Sequence, residues 1–241
     1  MAQRAAIVTG GSSGIGFAIA RMLAEEGYAL TLAARRPDKL AAAAESLRAE
    51  GHEVQDVAGA LSEEDAVQAV VAAHRERWGR LDVLVNNAGV GIGAPLAEIQ
   101  TKRLDMQLDV NLRATILFYR ECVELLRAAV LGGRGALVVN TSSISGKRGQ
   151  AWLSVYSATK AAVIGFTEAM NRELAAEGIK SCALCPAFVD TPMTDFAKSG
   201  GVEADQMIRP EDIAESVRLL LRLSPACLIP EIVFERPGES L

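Results

Sequence analysis

The feature that most constrains this chain is an alternation. Short apolar runs take turns with longer amphipathic runs from one end to the other. "AAIVTG" leads into "IGFAIARMLAEEG", "ALTLAA" into "PDKLAAAAESLRAEG", and "EVQDVAG" into "SEEDAVQAVVAAHRERWG". "LDVLVNNAG" precedes a long helical pattern from about Leu104 to Leu131. "GALVVNTSS" precedes a helix opening at "YSATK", "IKSCALCP" precedes "RPEDIAESVRLLLRL", and "LIPEIVFE" closes the chain. Seven strand runs separated by helical patterns demand crossover connections, hence a parallel sheet. The strands read as continuously apolar, as they must when helices cover both sheet faces. No linker, composition break or short repeat divides the 241 residues, which predicts one doubly wound α/β domain. Ligands of such a domain bind at the carboxyl ends of the strands. The unusual polar clusters of this chain fall there.

Composition excludes several functions. Half of the residues are hydrophobic, enough for a sizeable core, and the net charge is −5. There is no basic tail or arm, so a nucleic-acid partner is not expected. "MAQRAAIVTGG" lacks the apolar stretch of a signal peptide, and no apolar run is long enough to span a membrane. A cytoplasmic location and no membrane partner are therefore expected. Cys122, Cys182, Cys185 and Cys227 are too few for a disulfide framework and fit a reducing compartment. Cys182 and Cys185 form a C-x-x-C inside a strand pattern, where residues three apart point to opposite faces. That predicts buried free thiols rather than a redox or zinc pair. His52 and His74 lie in polar stretches and are expected at the surface; no metal site is expected. Ser62, with an acid three residues on, reads as a helix cap.

Six clusters carry candidate chemistry. "TGGSSGIG", Thr9 to Gly16, joins the first strand to the first helix. Gly10, Gly14 and Gly16 permit a tight turn that brings backbone N–H groups and a helix N-terminus to a pyrophosphate. Taken alone, it is also what a plain tight turn looks like. The second strand ends at Ala34-Arg35-Arg36, where an acid would bond the ribose of NAD. Two guanidinium groups suit a 2′-phosphate instead, which favours NADP(H) over NAD. "NNAG" (Asn86 to Gly89) ends the fourth strand, and Asn111 stands inside the long helix. Asparagine is a mediocre helix-interior residue, which suggests a buried polar task or a local bend. Ser142 and Ser143 end the fifth strand, and "YSATK" puts Tyr156 and Lys160 on one helical face. A positive charge beside a phenol favours the phenolate, so Lys160 is expected to lower the Tyr156 pKa.

In order and spacing, these clusters resemble the short-chain dehydrogenase/reductase family over nearly the whole chain. The TGxxxGxG turn, NNAG, a helical Asn, a Ser thirteen residues before the Tyr, and YxxxK are all present. The resemblance implies a single Rossmann-type domain over 1–241, with sheet order 3-2-1-4-5-6-7 and a substrate loop at about 187–209. It implies hydride exchange with NADP(H) and a small carbonyl compound or its secondary alcohol. Asn111, Ser143, Tyr156 and Lys160 would be catalytic. Tyr156 would give its proton to the carbonyl oxygen, Ser143 would bond that oxygen, and Asn111 would hold a water reaching Lys160. The cofactor would meet Gly10, Ser12, Ser13, Gly14, Ile15, Gly16, Arg35, Arg36 and Leu61. It would also meet Asn86, Ala88, Gly89, Tyr156, Lys160, Pro186, Val189 and Thr191. Ser145, Trp152, Leu153, Phe188, Met193 and Phe196 are candidates for the substrate wall.

The chain also departs from the family pattern. Ala60 stands where an adenine-bonding Asp is frequent, Cys182 replaces an Asn, and Ala187 replaces a Gly. Ser13 replaces the basic residue of many NADP-dependent members, so the NADP preference leans on Arg35 and Arg36. Ketoacyl-carrier-protein reductases hold an acidic carrier with basic residues. Arg134 matches one such place, but Glu177 occupies the other and argues for a free carbonyl compound. A 3-oxoacyl reductase is the alternative enzyme. A catalytically silent NADP-binding sensor or scaffold is the alternative of a different class. The resemblance implies a homodimer or homotetramer built through helices near 104–131 and 154–177.

Overall fold

The computed structural model describes residues 3–133, 135–195 and 204–237. Each strand run is a strand in it: β1 (Ala5–Thr9), β2 (Ala29–Ala34), β3 (Val54–Ala58), β4 (Val83–Asn86), β5 (Ala136–Thr141), β6 (Ile179–Pro186) and β7 (Glu231–Phe234). They pair in parallel in the order β3-β2-β1-β4-β5-β6-β7. The helices are α1 (Gly14–Glu25), α2 (Pro37–Ala49), α3 (Glu64–Trp78), α4 (Thr101–Leu108), α5 (Ala114–Leu131), α6 (Ser154–Leu174) and α7 (Pro210–Arg222).

Alternation along each strand feeds two cores. Ala6, Val8, Val83, Val85 and Val139 pack with α1, α2 and α7. Ile7, Leu84 and Val138 face the other way, against α3, α5 and α6. Neither face is wet, so both parities are largely apolar, the few buried polar side chains such as Thr31, Asn86 and Asn140 being hydrogen-bonded. Full burial of each Val, Leu or Ile is worth roughly 1.5–3 kcal/mol. The edge strands relax this rule: β3 carries half-buried Gln55 and Asp56, and β7 opens with Glu231. Strand order reverses between β1 and β4, so the segments leaving those strands part and open a crevice.

Four local expectations are corrected. The long helix starts earlier, at Thr101, and is interrupted by a π-helical turn at Asp109–Arg113, with Asn111 in its middle. Ser62 does not cap α3. That helix begins at Glu64 behind Glu63, and the Ser62 carbonyl instead accepts from Arg113 Nη1. Glu64 and Asp65 supply the negative charge that a helix N-terminus favours. His74 is fully buried rather than exposed. Its Nδ1 pairs with Thr31 Oγ1 at 2.8 Å and its Nε2 with the Arg80 carbonyl at 2.9 Å. It continues the inward stripe of Val67, Val70 and Val71 on α3. His52 is half-buried near Glu50. Cys182 and Cys185 are buried free thiols, as expected, and burial pushes them up to about 12 and about 11. Among the described residues no helix is long and apolar enough to cross a membrane.

Candidate active site

The crevice is closed at its base by one hydroxyl. Thr9 Oγ1, at the end of β1, accepts the backbone N–H groups of Asn87 (2.9 Å) and Ala88 (3.1 Å) and donates to the Val85 carbonyl. This draws the end of β4 onto the turn that follows β1. Gly10 has φ +66, and a Cβ there would lie 2.9 Å from Asn87 Nδ2 and 3.0 Å from Ala88 Cα. A Cβ on Gly16 would lie 2.4 Å from the Gly10 carbonyl oxygen. Only glycine fits either place. α1 then begins with no side-chain cap from Ser13 and no acid in its first turn, leaving that turn's partial positive charge to the crevice.

A cavity of about 590 Å³ runs from this turn to α6. At one end it is lined by Ala34, Arg35, Arg36, Ala60, Leu61 and Ser62. Arg35 and Arg36 are exposed, and neither makes an ion pair with a described residue. At the other end lie Thr141, Ser142, Ser143, Tyr156, Lys160, Pro186, Ala187, Val189 and Met193.

The end of β5 and the start of α6 are stitched together. Ser142 Oγ donates to the Lys160 carbonyl at 2.8 Å, and Lys160 Nζ donates to the Thr141 carbonyl at 2.8 Å. The turn after Ser143 rests on α6 at Gly146, where a Cβ would lie 2.7 Å from Lys160 backbone carbon. Ser143 Oγ accepts from Ser145 N at 3.1 Å and lies with the Tyr156 phenol on the cavity wall. Lys160 Nζ stands 5.6 Å from the centroid of the Tyr156 ring.

Burial dominates the electrostatics. It raises the Tyr156 phenol above its ordinary value, with the nearby Ser143 hydroxyl pulling the other way. The expected lowering by Lys160 is not seen. Lys160 is itself buried, which brings it down to about 8, and its ammonium is turned to the Thr141 carbonyl.

Asn111 is committed to protein groups. Its Oδ1 accepts from Val90 N at 2.8 Å, and its Nδ2 donates to the Val90 carbonyl at 2.9 Å and to Thr159 Oγ1 at 3.1 Å. It still lies close to the lysine: a Cβ on Gly89 would be 3.4 Å from both Asn111 Oδ1 and Lys160 Nζ.

Most of the expected cofactor residues line this one cavity: Gly10, Ser12, Ser13, Gly14, Ile15, Arg35, Arg36, Leu61, Ala88, Gly89, Tyr156, Lys160, Pro186, Val189 and Thr191. Two do not. Gly16 is buried beneath the turn. Asn86 is buried in the sheet, where its Nδ2 donates to Asn140 Oδ1, because strand alternation turns it away from the crevice. Its neighbour Asn87 takes the place, with Thr141 Oγ1 donating to its Oδ1 at 3.2 Å.

The substrate candidates fare worse: of the described ones, only Met193 lines the cavity. Ser145 is buried and serves Ser143 through its backbone. Trp152 is 69% exposed at φ +68, and its carbonyl accepts from Ala94 N. Leu153 sits at the N-cap of α6, against Gly93. Phe188 lies between the lining residues Ala187 and Val189 and so faces the other way, under the Arg236 guanidinium. Phe196 lies outside the described residues, as do Arg134 and 196–203 of the substrate loop. The ends of that loop meet in a parallel bridge of Val189 with Ile208.

Comparison with known proteins agrees with this geometry. The model of the short chain dehydrogenase family matches residues 4–200. A putative ketoacyl reductase of the monensin polyketide synthase from Streptomyces virginiae is 37% identical over 82% of this chain and 75% of its own. An alcohol dehydrogenase of the archaeon Thermococcus sibiricus, solved with 5-hydroxy-NADP, superposes with a TM-score of 0.87 at 30% identity, covering 99% of this chain and 98% of that one. A single-substitution variant of the actinorhodin polyketide ketoreductase, solved with NADPH, superposes with a TM-score of 0.86 at 31% identity, covering 97% of each chain. The chain belongs to the short chain dehydrogenase family.

Proposed function

We propose that this short chain dehydrogenase is an NADP(H)-dependent oxidoreductase that interconverts a carbonyl compound and its secondary alcohol, with Tyr156 as general acid and base. One observation carries the reading. Ser143, Tyr156 and Lys160 meet at one end of a cavity whose other end holds a glycine turn and two arginines that make no ion pair with a described residue.

The residues present suit NADP(H). A Cβ would fill the cradle at Gly10, which leaves the backbone open to a pyrophosphate at the N-terminus of α1. Arg35 and Arg36 offer charge-assisted forks to a 2′-phosphate. The relatives solved with an NADP form or NADPH support the same reading. When bound, the cofactor supplies or receives the hydride at the carbonyl carbon.

The chain's own residues handle the proton. A phenol held above its ordinary pKa keeps its proton at neutral pH, the state that carbonyl reduction needs. Ser143, on the same cavity wall, offers a second hydrogen bond to the substrate oxygen. Lys160, brought down to about 8, exchanges protons near neutrality and is placed to replenish the tyrosine. Asn111 fixes Val90 beside them and so holds the wall after β4 in place.

A 3-oxoacyl thioester substrate is the second reading, favoured by similarity to ketoacyl reductases. Against a carrier-borne thioester stands Glu177, which binds Arg127 through both carboxylate oxygens and puts a carboxylate where a carrier-binding cation would be needed. A silent scaffold is disfavoured by the complete Ser, Tyr and Lys set. Exposed Ala158, Ala161 and Gly165 on α6 support a homo-oligomer, which light scattering in solution would test.

The deciding experiment follows NADPH and NADH oxidation against ketones, aldehydes and acetoacetyl thioesters. Tyr156→Phe should lower kcat by about 100-fold or more, the usual weight of general acid catalysis. Equal activity in the variant would overturn the assigned role.

A further inference from the structure

Gln107 is a fully buried amide on α4 that the catalytic set does not use. Burying an amide is costly unless its polar atoms are satisfied. Its Nε2 is satisfied within its own helix, at the Arg103 carbonyl. Its Oε1 reaches across instead and accepts the backbone N–H of Ile92 at 3.2 Å. Four residues on, Asn111 holds both the N–H and the carbonyl of Val90. The two amides therefore grip the segment after β4 on either side of Gly91.

Gly91 is not a glycine that the backbone demands, since it is not among the residues of positive φ. What it provides is space. A Cβ there would lie 3.7 and 3.9 Å from Cε2 and Cδ2 of Tyr156 and 4.0 Å from Met193 Sδ. A methyl would just touch; any larger side chain would fill the gap between the catalytic ring and the methionine.

We infer that Gly91 is the size gate for the substituent on the carbonyl carbon, that it admits a ring-bearing ketone beside Tyr156, and that Gln107 is the positioning residue holding it open. The inference rests on the carbonyl-reductase reading and names its substrate class. A bulky group passes Gly91 because the loop is bare there. Losing the Gln107 acceptor frees Ile92 and lets the loop settle onto Tyr156 and Met193.

The test compares kcat/KM for 2-tetralone with that for 2,3-butanedione, using NADPH, in wild type, Gly91→Val and Gln107→Leu, with melting curves for each. In Gly91→Val the tetralone-to-butanedione ratio should fall about tenfold or more, the discrimination that one or two misplaced carbons give in an apolar pocket. In Gln107→Leu it should fall about threefold or more, which a merely structural role would not produce because that would depress both substrates alike. If Gly91→Val does not fold, the ratio in Gln107→Leu decides. Equal losses on both ketones, or an unchanged ratio, would overturn the gate while leaving the reductase reading intact. A wild type that reduces neither ketone would overturn the gate, and one that also reduces no ketone, aldehyde or acetoacetyl thioester of the wider panel would overturn the reductase reading.

Discussion

Acidification from about pH 8 to about pH 5 should cost this fold about 2 kcal/mol through His74 alone. The hydrogen bonds fix the ring's state. The Arg80 carbonyl can only accept, so Nε2 carries the proton, and Nδ1 must accept from the Thr31 hydroxyl. Thr31 Oγ1 meanwhile faces Gln55 Nε2 at 2.7 Å and Trp78 Nε1 at 3.2 Å, both donors. Its two lone pairs are taken, so a proton on Nδ1 would find no acceptor. Burial adds to this and lowers the His74 pKa from 6.5 to about 4.

The native state therefore refuses a proton that the unfolded chain binds from about pH 6.5 downward. Stability from this group is complete well above pH 6.5, declines through the window between 6.5 and about 4, and is flat below it. A gap of about 2.5 units at 1.36 kcal/mol each gives about 3 kcal/mol in full, of which about 2 is lost by pH 5.

Urea unfolding of the wild type and of His74→Gln at the two pH values measures it. Carboxylates held low by arginines, such as Glu26 and Asp212, are common to both proteins and cancel in the difference. The wild type should lose about 2 kcal/mol more than the variant between the two conditions. Equal losses would refute the saturated-hydroxyl argument.

Other expectations follow from single contacts. Arg35→Ala should weaken NADPH far more than NADH, read as the ratio of their KM values; a preference for NADH already present in the wild type would refute the 2′-phosphate assignment. Gly146→Ala should displace Lys160, because the new Cβ falls 2.7 Å from its backbone carbon; activity should drop about tenfold or more with a lowered Tm, and a fully active variant would contradict the packing. Asp82→Ala should cost about 3 kcal/mol in chemical unfolding, since it leaves the buried Ala5 N–H and the Arg80 guanidinium without their acceptor.

The sheet was legible because parallel strands buried on both faces leave a signature of apolar runs, and those runs matched β1 to β7. The glycine turn was legible for a comparable reason, since close backbone approach at Gly10 and Gly16 admits one residue type. Other features escaped because they depend on partners distant in sequence. His74 looked like a surface residue among Arg75, Glu76 and Arg77, yet its spacing from Val67, Val70 and Val71 put it on the inward face. Phe188 escaped because the alternation of β6 continues past its end: Ala187 and Val189 line the cavity, and Phe188 between them turns to Arg236. Asn86 failed by the same parity, and Asn87 was the better choice within NNAG. Gln107 carried no motif at all; only the fold shows that it meets Ile92.

The π-helical turn at Asp109–Arg113 has a consequence for chain length. A helix advances by about 100° per residue, so one surplus residue offsets the angular phase of everything beyond it. Here the offset lets α4 aim Gln107 and the π-helical turn aim Asn111 at the segment after β4 while α5 aims Phe118, Tyr119 and Cys122 into the sheet. Deleting Val110 would restore an unbroken helix and force a choice between the two orientations. The core, with far more buried area at stake, would prevail, and the amides would swing off the loop. Any chimera that borrows this helix from a relative must therefore import its length as faithfully as its letters.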